Sequence, residues 1–295
     1  VIGLTIDEEG IPKTADGRVR VAGKIIEEAK KYGITVVPLT VHFGDEEFLD
    51  GVTITPHEFY EKLIECEQLP KTSQATPFAY AEAYQSAVQE GKEIIVITIS
   101  SKLSGCYQSA VNAASEFDSR ISIIDSENAA IGEKALVLKA IELRDKGCSL
   151  EEMTEHLEEA KKHLHLLALL NTLEYLKKGG RISAAAALAG SIIGIKPVIT
   201  IKDGAIEVVG KARGSKTGNN MLSKFINESG QINFNEPLCL GYTGNDPHPL
   251  DKYIEDSKEL YKDYNKDFDI TVIGGAIGTH AGPGCIAIAY FDKLD

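Results

Sequence analysis

Hydroxyl, amide, imidazole and glycine residues gather in four short segments of this sequence, and together they offer the donors that an anion needs. The first segment is Lys71-Thr72-Ser73-Gln74-Ala75-Thr76-Pro77, ahead of a helical stretch, and the second runs from Ser100 to Ser109 between an apolar run and the next helical stretch. The third, Leu173 to Ser183, contains Lys177, Lys178, Gly179, Gly180 and Arg181. The fourth is Ile277-Gly278-Thr279-His280-Ala281-Gly282-Pro283-Gly284, which leads into a final apolar run. Thr72, Ser73, Thr76 and Ser104 bring hydroxyls, and Gly105 exposes backbone N–H near a helix start. His280 adds a ring nitrogen in an expected loop whose glycines let the backbone come close to a ligand. Helix amino termini beyond the carboxyl ends of parallel strands carry free N–H groups and attract anions, so the second segment in particular predicts an anion site.

Each of these residues also has a plain structural use. Thr72, Ser73 and Thr76 could cap a helix, Ser104 could be a turn residue, and His280 a solvated side chain. Gly179-Gly180 suits a helix terminator, and Lys177, Lys178 and Arg181 a solvated face. Two chemical alternatives use the same residues. Ser104 as nucleophile, His280 as base and Asp7 or Asp125 as orienter would make an ester hydrolase, although Leu-Ser-Gly lacks the Gly-x-Ser-x-Gly spacing of a nucleophile elbow. The same helix amino termini could instead hold a phosphorylated sugar or nucleotide.

The elements that must carry these segments follow from periodicity. Short β-branched runs alternate with amphipathic stretches in the first half, which predicts a parallel sheet with crossover helices. Strands are expected over Val1 to Ile6, Ile34 to Leu39, Ile94 to Ile99 and Ile121 to Ile124, the Ile94 run buried on both faces. Helices are expected over Val21 to Lys31, Pro56 to Glu67, Phe78 to Glu90, Ser109 to Phe117 and Asn128 to Lys146. Thr55 caps the second of these, and Ser149 with Glu152 makes a capping box for one more. Beyond about residue 165 the pattern changes to strands at His165 to Asn171, Lys196 to Ile201, Ile206 to Gly210, Leu238 to Thr243, Ile270 to Gly274 and Cys285 to Phe291. Lys202-Asp203-Gly204 is a hairpin turn, and a helix spans Leu250 to Tyr261. The fold class is therefore α/β in two domains: 1–160, a parallel α/β/α sheet, and 161–295, a mixed or antiparallel sheet with helices on one face.

Composition bounds the function. A chain of 295 residues, 43% hydrophobic and 25% charged, can bury one large or two moderate cores. The net charge of -13 repels nucleic-acid phosphates and anionic membranes over long range, yet leaves an anionic small ligand possible through local donors. Five scattered cysteines without paired spacing predict neither disulfides nor a zinc site, but a reduced cytoplasmic protein. The apolar stretch Ala184 to Ile195 is too short and too glycine-broken to span a membrane, and the amino terminus has no signal-peptide pattern. No Walker-type Gly-Lys motif and no carboxylate cluster for magnesium point to an ATP site.

Taken in order, KTSQATP, SSKLSGCYQSA, LEYLKKGGRIS and IGTHAGPG resemble the DegV family, the fatty-acid-binding proteins that serve as the lipid-carrying subunit of bacterial fatty acid kinase. The resemblance covers nearly the whole chain. It implies a two-domain α/β fold with a long-chain fatty acid between the domains, no cofactor, no metal and no catalytic centre of its own. The implied partner is an ATP-binding fatty acid kinase subunit that phosphorylates the acid; a monomer touching membranes only in passing is expected. Thr72, Ser73, Ser104, Gly105, Thr279 and His280 are the implied carboxylate site, and Arg213 in Lys211-Ala212-Arg213-Gly214 the implied kinase contact. The amino terminus departs from the family: Thr5-Ile6-Asp7-Glu8-Glu9-Gly10 replaces its Asp-Ser pair, and Thr14 to Arg20 looks inserted. Leu188, Ile192, Ile193 and Ile195 are candidates for the tail lining. Each buried methylene contributes about 0.8 kcal/mol, so the tail dominates affinity while the head group fixes orientation. A bound carboxylate should also help His280 hold its proton.

Overall fold

The structure, a computed structural model, describes residue 29 and residues 32–118, 120–182 and 194–293. The expected first strand, Asp7, the Thr14 to Arg20 insertion, the Val21 to Lys31 helix apart from Ala29, and Leu188, Ile192 and Ile193 lie outside these residues.

The first described strands were not all anticipated. A three-stranded antiparallel ribbon of β1 (Thr40–Phe43), β2 (Glu46–Leu49) and β3 (Lys71–Ser73) runs in the order β2-β1-β3. Thr72 thus sits on a strand rather than in a loop, and it is Thr76 that caps the next helix, accepting from the Ala79 N–H. The run Ile34 to Leu39 joins no ladder among the described residues, although Val37 and Leu39 are buried. Apolar β-branched residues signal burial, which an extended segment shares with a strand; the ladder partner is not encoded in the run itself.

A parallel pair, β4 (Ile94–Thr98) and β5 (Ile121–Asp125), follows with Ile94 opposite Ile121. Ile94 to Ile97 are only partly buried, so the expectation of a fully buried strand does not hold for them. Helices α1 (Pro56–Glu65), α2 (Pro77–Gln89), α3 (Cys106–Ala114), α4 (Ile131–Asp145) and α5 (Leu150–Ala160) accompany this pair. Thr55 and Ser149 make complete capping boxes with Glu58 and Glu152, satisfying two otherwise orphaned N–H groups at each start.

The remaining strands, β6 (Leu164–Leu169), β7 (Ile195–Lys202), β8 (Ala205–Arg213), β9 (Leu238–Tyr242), β10 (Asp269–Val272) and β11 (Ile286–Phe291), form one sheet in the order β10-β9-β11-β6-β7-β8. Only β9 and β10 are parallel, so the sheet is mixed. Asp203 and Gly204 both have positive φ, 48° and 77°, the two-residue turn whose twist suits a hairpin. Four helices join this part: α6 (Glu174–Lys178), α7 (Gly214–Glu228), α8 (His248–Asp256) and α9 (Gly275–Ala281).

Helices cover both faces of the mixed sheet, not one. Leu222 and Ile226 of α7 and Leu250 and Tyr253 of α8 pack with Leu167, Leu169 and Leu240. On the opposite face Ala135, Leu136 and Ala140 of α4 pack with Leu164, Leu166 and Ala168. The period-2 alternation along β6 sends successive side chains to the two faces. The helix on the second face comes from the first half of the chain, which is why the second half read alone suggested one covered face. α7 was not anticipated because its first turns are Gly-, Ser- and Asn-rich. Gly218 is there because a Cβ would sit 2.5 Å from Leu169 Cδ2.

The β7–β8 turn is tied to the first half: the Ser100 hydroxyl donates to the Gly204 carbonyl at 2.7 Å, and a Cβ on Gly204 would lie 2.7 Å from Ser100 Oγ. Gly204→Ala should therefore lower unfolding stability by about 1–2 kcal/mol in chemical denaturation, from the strained positive φ together with loss of this contact.

Candidate functional site

Side chains of both halves enclose a cavity of about 100 Å³. Leu39, Ile99 and Leu103 wall it from one side; Leu166, Ile199 and Ile206 wall it from the other. The polar residues that line it, among the described residues, are Thr72, Ser73, Gln74, Ser104, Arg181 and His280. An apolar chamber with one set of convergent polar groups is the usual form of a small-molecule site.

Thr72 and His280 meet across this cavity. β1 pairing places Thr72 opposite Val41, and α9 delivers His280 from its last turn, with Nε2 2.9 Å from Thr72 Oγ1. His280 therefore lies on a short helix, where the sequence suggested a glycine-rich loop. The other ring nitrogen, Nδ1, is buried and has no hydrogen-bond partner. It rests against Gly179, where a Cβ would come within 2.0 Å of it. We assign the ring proton to Nε2, because leaving a lone pair unpaired there is less costly than burying an unpaired N–H. The Nε2–H then donates to Thr72 Oγ1, and the Thr72 hydroxyl proton is free to donate to a ligand.

Burial, and secondarily the positive charge of Arg181, pushes the His280 pKa from 6.5 down to about 4, so the ring is neutral near pH 7. Arg181 is not the solvated side chain its neighbours suggested: its Nε donates to the Leu103 carbonyl at 3.2 Å and Nη1 to the Gly179 carbonyl at 2.7 Å. Gly179 ends α6 and Gly180 follows with φ of 70°, the terminator role read from the sequence.

The other expected site residues are dispersed in what they do. Ser104 reaches the cavity, its hydroxyl turned to Cys106 Sγ at 3.2 Å. Ser73 is at the wall, but adjacent residues of a strand face opposite ways, and its hydroxyl bonds His42 Nε2 at 2.8 Å. Gly105 is the N-cap of α3 and packs against the Gln74 side chain, where a Cβ would lie 1.9 Å from Oε1. Thr279 is buried, and its hydroxyl donates to the Gly275 carbonyl within α9. Arg213 is exposed at the end of β8, paired with Ile195, and neither residue is among those lining the cavity.

The sequence matches, over residues 25–293, the family described as uncharacterised proteins of the DegV family. The chain belongs to the DegV family. A DegV domain-containing protein of Caldanaerobacter subterraneus subsp. tengcongensis is 34% identical over 265 residues, covering 90% of this chain and 93% of the relative. A solved DegV family structure from Thermus thermophilus, described by its fatty-acid binding, superimposes with a TM-score of 0.82 at 31% identity, over 90% of this chain and 95% of that one. The fatty acid kinase B3 protein of Streptococcus pneumoniae, solved loaded with linoleic acid, gives a TM-score of 0.78 at 25% identity, over 88% and 92% of the two chains.

Among the described residues of this DegV protein the hydrolase alternative lacks its geometry. His280 bonds Thr72 rather than Ser104, and a ring whose pKa is about 4 is a weak general base. Asp125 accepts instead from the backbone N–H groups of Ser101 and Glu127. Among the described residues no group of three or more His, Cys, Asp or Glu side chains is arranged to hold a metal ion, and no helix is long and apolar enough to cross a membrane. Two residues named in the polar segments but not expected at the carboxylate site, Gln74 and Arg181, also line the cavity. Gln74 stands inside the first polar segment, its Nε2 donating to Ser109 Oγ at 2.8 Å; the arginine's signal was its place beside two glycines that let it fold back.

Because the folded chain refuses a proton at His280 until about pH 4, while the unfolded chain accepts one near 6.5, stability should fall as pH drops through that window. The loss from this residue is on the order of 3 kcal/mol. Urea denaturation of His280→Gln across that pH range should show it removed.

Proposed function

We propose that this DegV protein binds a long-chain fatty acid between its two halves, which divide near residue 160, and presents the carboxylate to a partner. The observation that carries the reading is the amphipathic cavity: aliphatic walls from both halves, with Thr72, Ser104, His280 and Arg181 gathered at it. The fatty acids bound by the Thermus and Streptococcus relatives point the same way.

Thr72 and Ser104 would donate hydroxyl hydrogen bonds to the carboxylate, and Arg181 would contribute the positive charge. Hydrogen bonds to a charged group contribute about 1.5–3 kcal/mol each. His280 acts from behind Thr72: as a neutral donor it orients the hydroxyl, so the Thr72 proton faces the acid. In this reading His280 acts on the carboxylate through Thr72, where the sequence predicts a direct bond from the histidine. Ser73, Gly105 and Thr279 would shape the wall and backbone around the head group rather than bond it. About fifteen buried methylenes would contribute on the order of 10 kcal/mol.

The finer part of the proposal is that the partner is an ATP-binding fatty acid kinase subunit, as the description of the Streptococcus relative suggests. Phosphorylation would be that subunit's chemistry, and this chain would be its cytoplasmic, monomeric lipid carrier, with no cofactor and no binding to nucleic acid. Exposed Arg213 would be a contact for it.

Mass spectrometry of an organic extract from the purified protein should find stoichiometric fatty acid; a lipid-free extract from protein that also takes up no added fatty acid would sink the proposal. Thr72→Val combined with Ser104→Ala should weaken binding of the acid about 100-fold or more and weaken binding of its methyl ester much less. For Arg213→Ala, acid binding should stay at the parent level while acyl phosphate formation with the kinase subunit falls at least tenfold.

A further inference from the structure

The helix that delivers His280 is seven residues long and contains two glycines, Gly275 and Gly278. A helix so short does not hold itself together in water; its neighbours must fix it. At its start, the Asp50 carboxylate accepts the Gly275 N–H at 2.7 Å on Oδ1 and the Ala276 N–H at 2.9 Å on Oδ2. Asp50 is buried, 8% exposed, directly after β2, and its own N–H donates to the carbonyl of Leu39, a cavity residue. Glycines make the close approach possible: a Cβ on Gly274 would lie 2.9 Å from Asp50 Oδ2, and one on Gly275 would lie 2.7 Å from Phe59 Cδ2.

The other end of α9 meets the same ribbon. Thr40 of β1 pairs with Leu49 of β2 on one side and with Ser73 of β3 on the other. Asp50 follows Leu49 and Thr72 precedes Ser73, so the two residues that grip α9 stand on opposite edges of the ribbon.

We propose that Asp50 is a positioning residue of the head-group site: by anchoring the amino terminus of α9 to the ribbon that carries Thr72, it sets the distance and angle at which His280 meets Thr72. The inference rests on the fatty-acid reading only for its effect on ligand binding; the clamp itself is a property of the ligand-free protein. Burial raises the Asp50 carboxyl above its ordinary range while the two backbone donors oppose the shift, so the same two contacts that hold the helix also favour the charged carboxylate.

Two variants disturb the clamp differently. Asp50→Asn keeps the shape but replaces one acceptor with an amide donor. Gly274→Ala, at an ordinary φ of -66°, leaves Asp50 in place and pushes a methyl against its carboxylate. Imidazole 15N NMR reports the His280 tautomer and titration directly, and stearate serves as the ligand probe. The expected result, in variants that still melt cooperatively, is loss of the protected Nε2–H signal and a His280 pKa that rises from about 4 toward 6.5, with stearate binding about tenfold weaker. Lowered stability with the tautomer and titration of His280 unchanged would overturn the proposal, since a merely structural Asp50 would behave so. If Asp50→Asn does not fold, Gly274→Ala decides by the same readout. A shifted His280 in a protein that never binds stearate would uphold the clamp and refute the fatty-acid reading.

Discussion

The hydrogen bond between Thr72 Oγ1 and His280 Nε2 joins residues 208 positions apart, and much of the molecule is arranged so that they meet. One partner rides on a three-residue edge strand and the other on a seven-residue helix, neither of which is stable alone. The strand is held by the ladder to β1, and the helix by Asp50 and the aromatic rings of Phe59 and Tyr60, with the Tyr60 hydroxyl donating to the Ile273 carbonyl at 2.7 Å. The hydrogen bond gains value because its surroundings are partly shielded from water. In water both groups would find other partners, whereas at a buried site the pairing fixes the ring and directs the threonine proton.

Electrostatics at this point favour a neutral histidine beside a fixed arginine. Arg181 is anchored by two carbonyls, so its charge stands ready without having to be drawn in by a ligand. Burial and that charge together keep the imidazole unprotonated. A site built in this way separates two tasks: the guanidinium supplies charge, and the imidazole orients a hydroxyl. Gly179 serves both, ending α6 so that Arg181 can turn back and leaving room for the imidazole face.

The apolar side of the cavity depends on the packing of the two halves. Ile199 and Ile206 belong to the β7–β8 hairpin, whose tip is tied to Ser100, while Leu103 and Ile99 come from the segment following β4. α4 packs against the mixed sheet from the opposite half of the chain. The cavity wall is therefore continuous with both cores, and a shift of one half relative to the other would alter the space open to a ligand.

Local signals in the sequence were strong wherever one segment contained all the parties. Thr55 with Glu58 and Ser149 with Glu152 close capping boxes within four residues, and Asp203-Gly204 turns a hairpin through backbone preferences of its own. The hydroxyl, glycine and histidine content of the polar segments marked the neighbourhood of the cavity and the family. Contacts between distant segments were decided only in three dimensions. Ser73 stands next to Thr72 in sequence yet turns to His42, because strand geometry sends neighbours to opposite sides. Thr279 stands next to His280 yet bonds its own helix. The Arg181 fold-back, the ribbon β2-β1-β3 and the helical state of Gly275–Ala281 all depend on partners tens to hundreds of residues away. Sequence alone determined which chemical groups and local turns were available; the tertiary structure decided which of them meet, because burial and ladder pairing set both the direction of a side chain and the energy of leaving it unpaired.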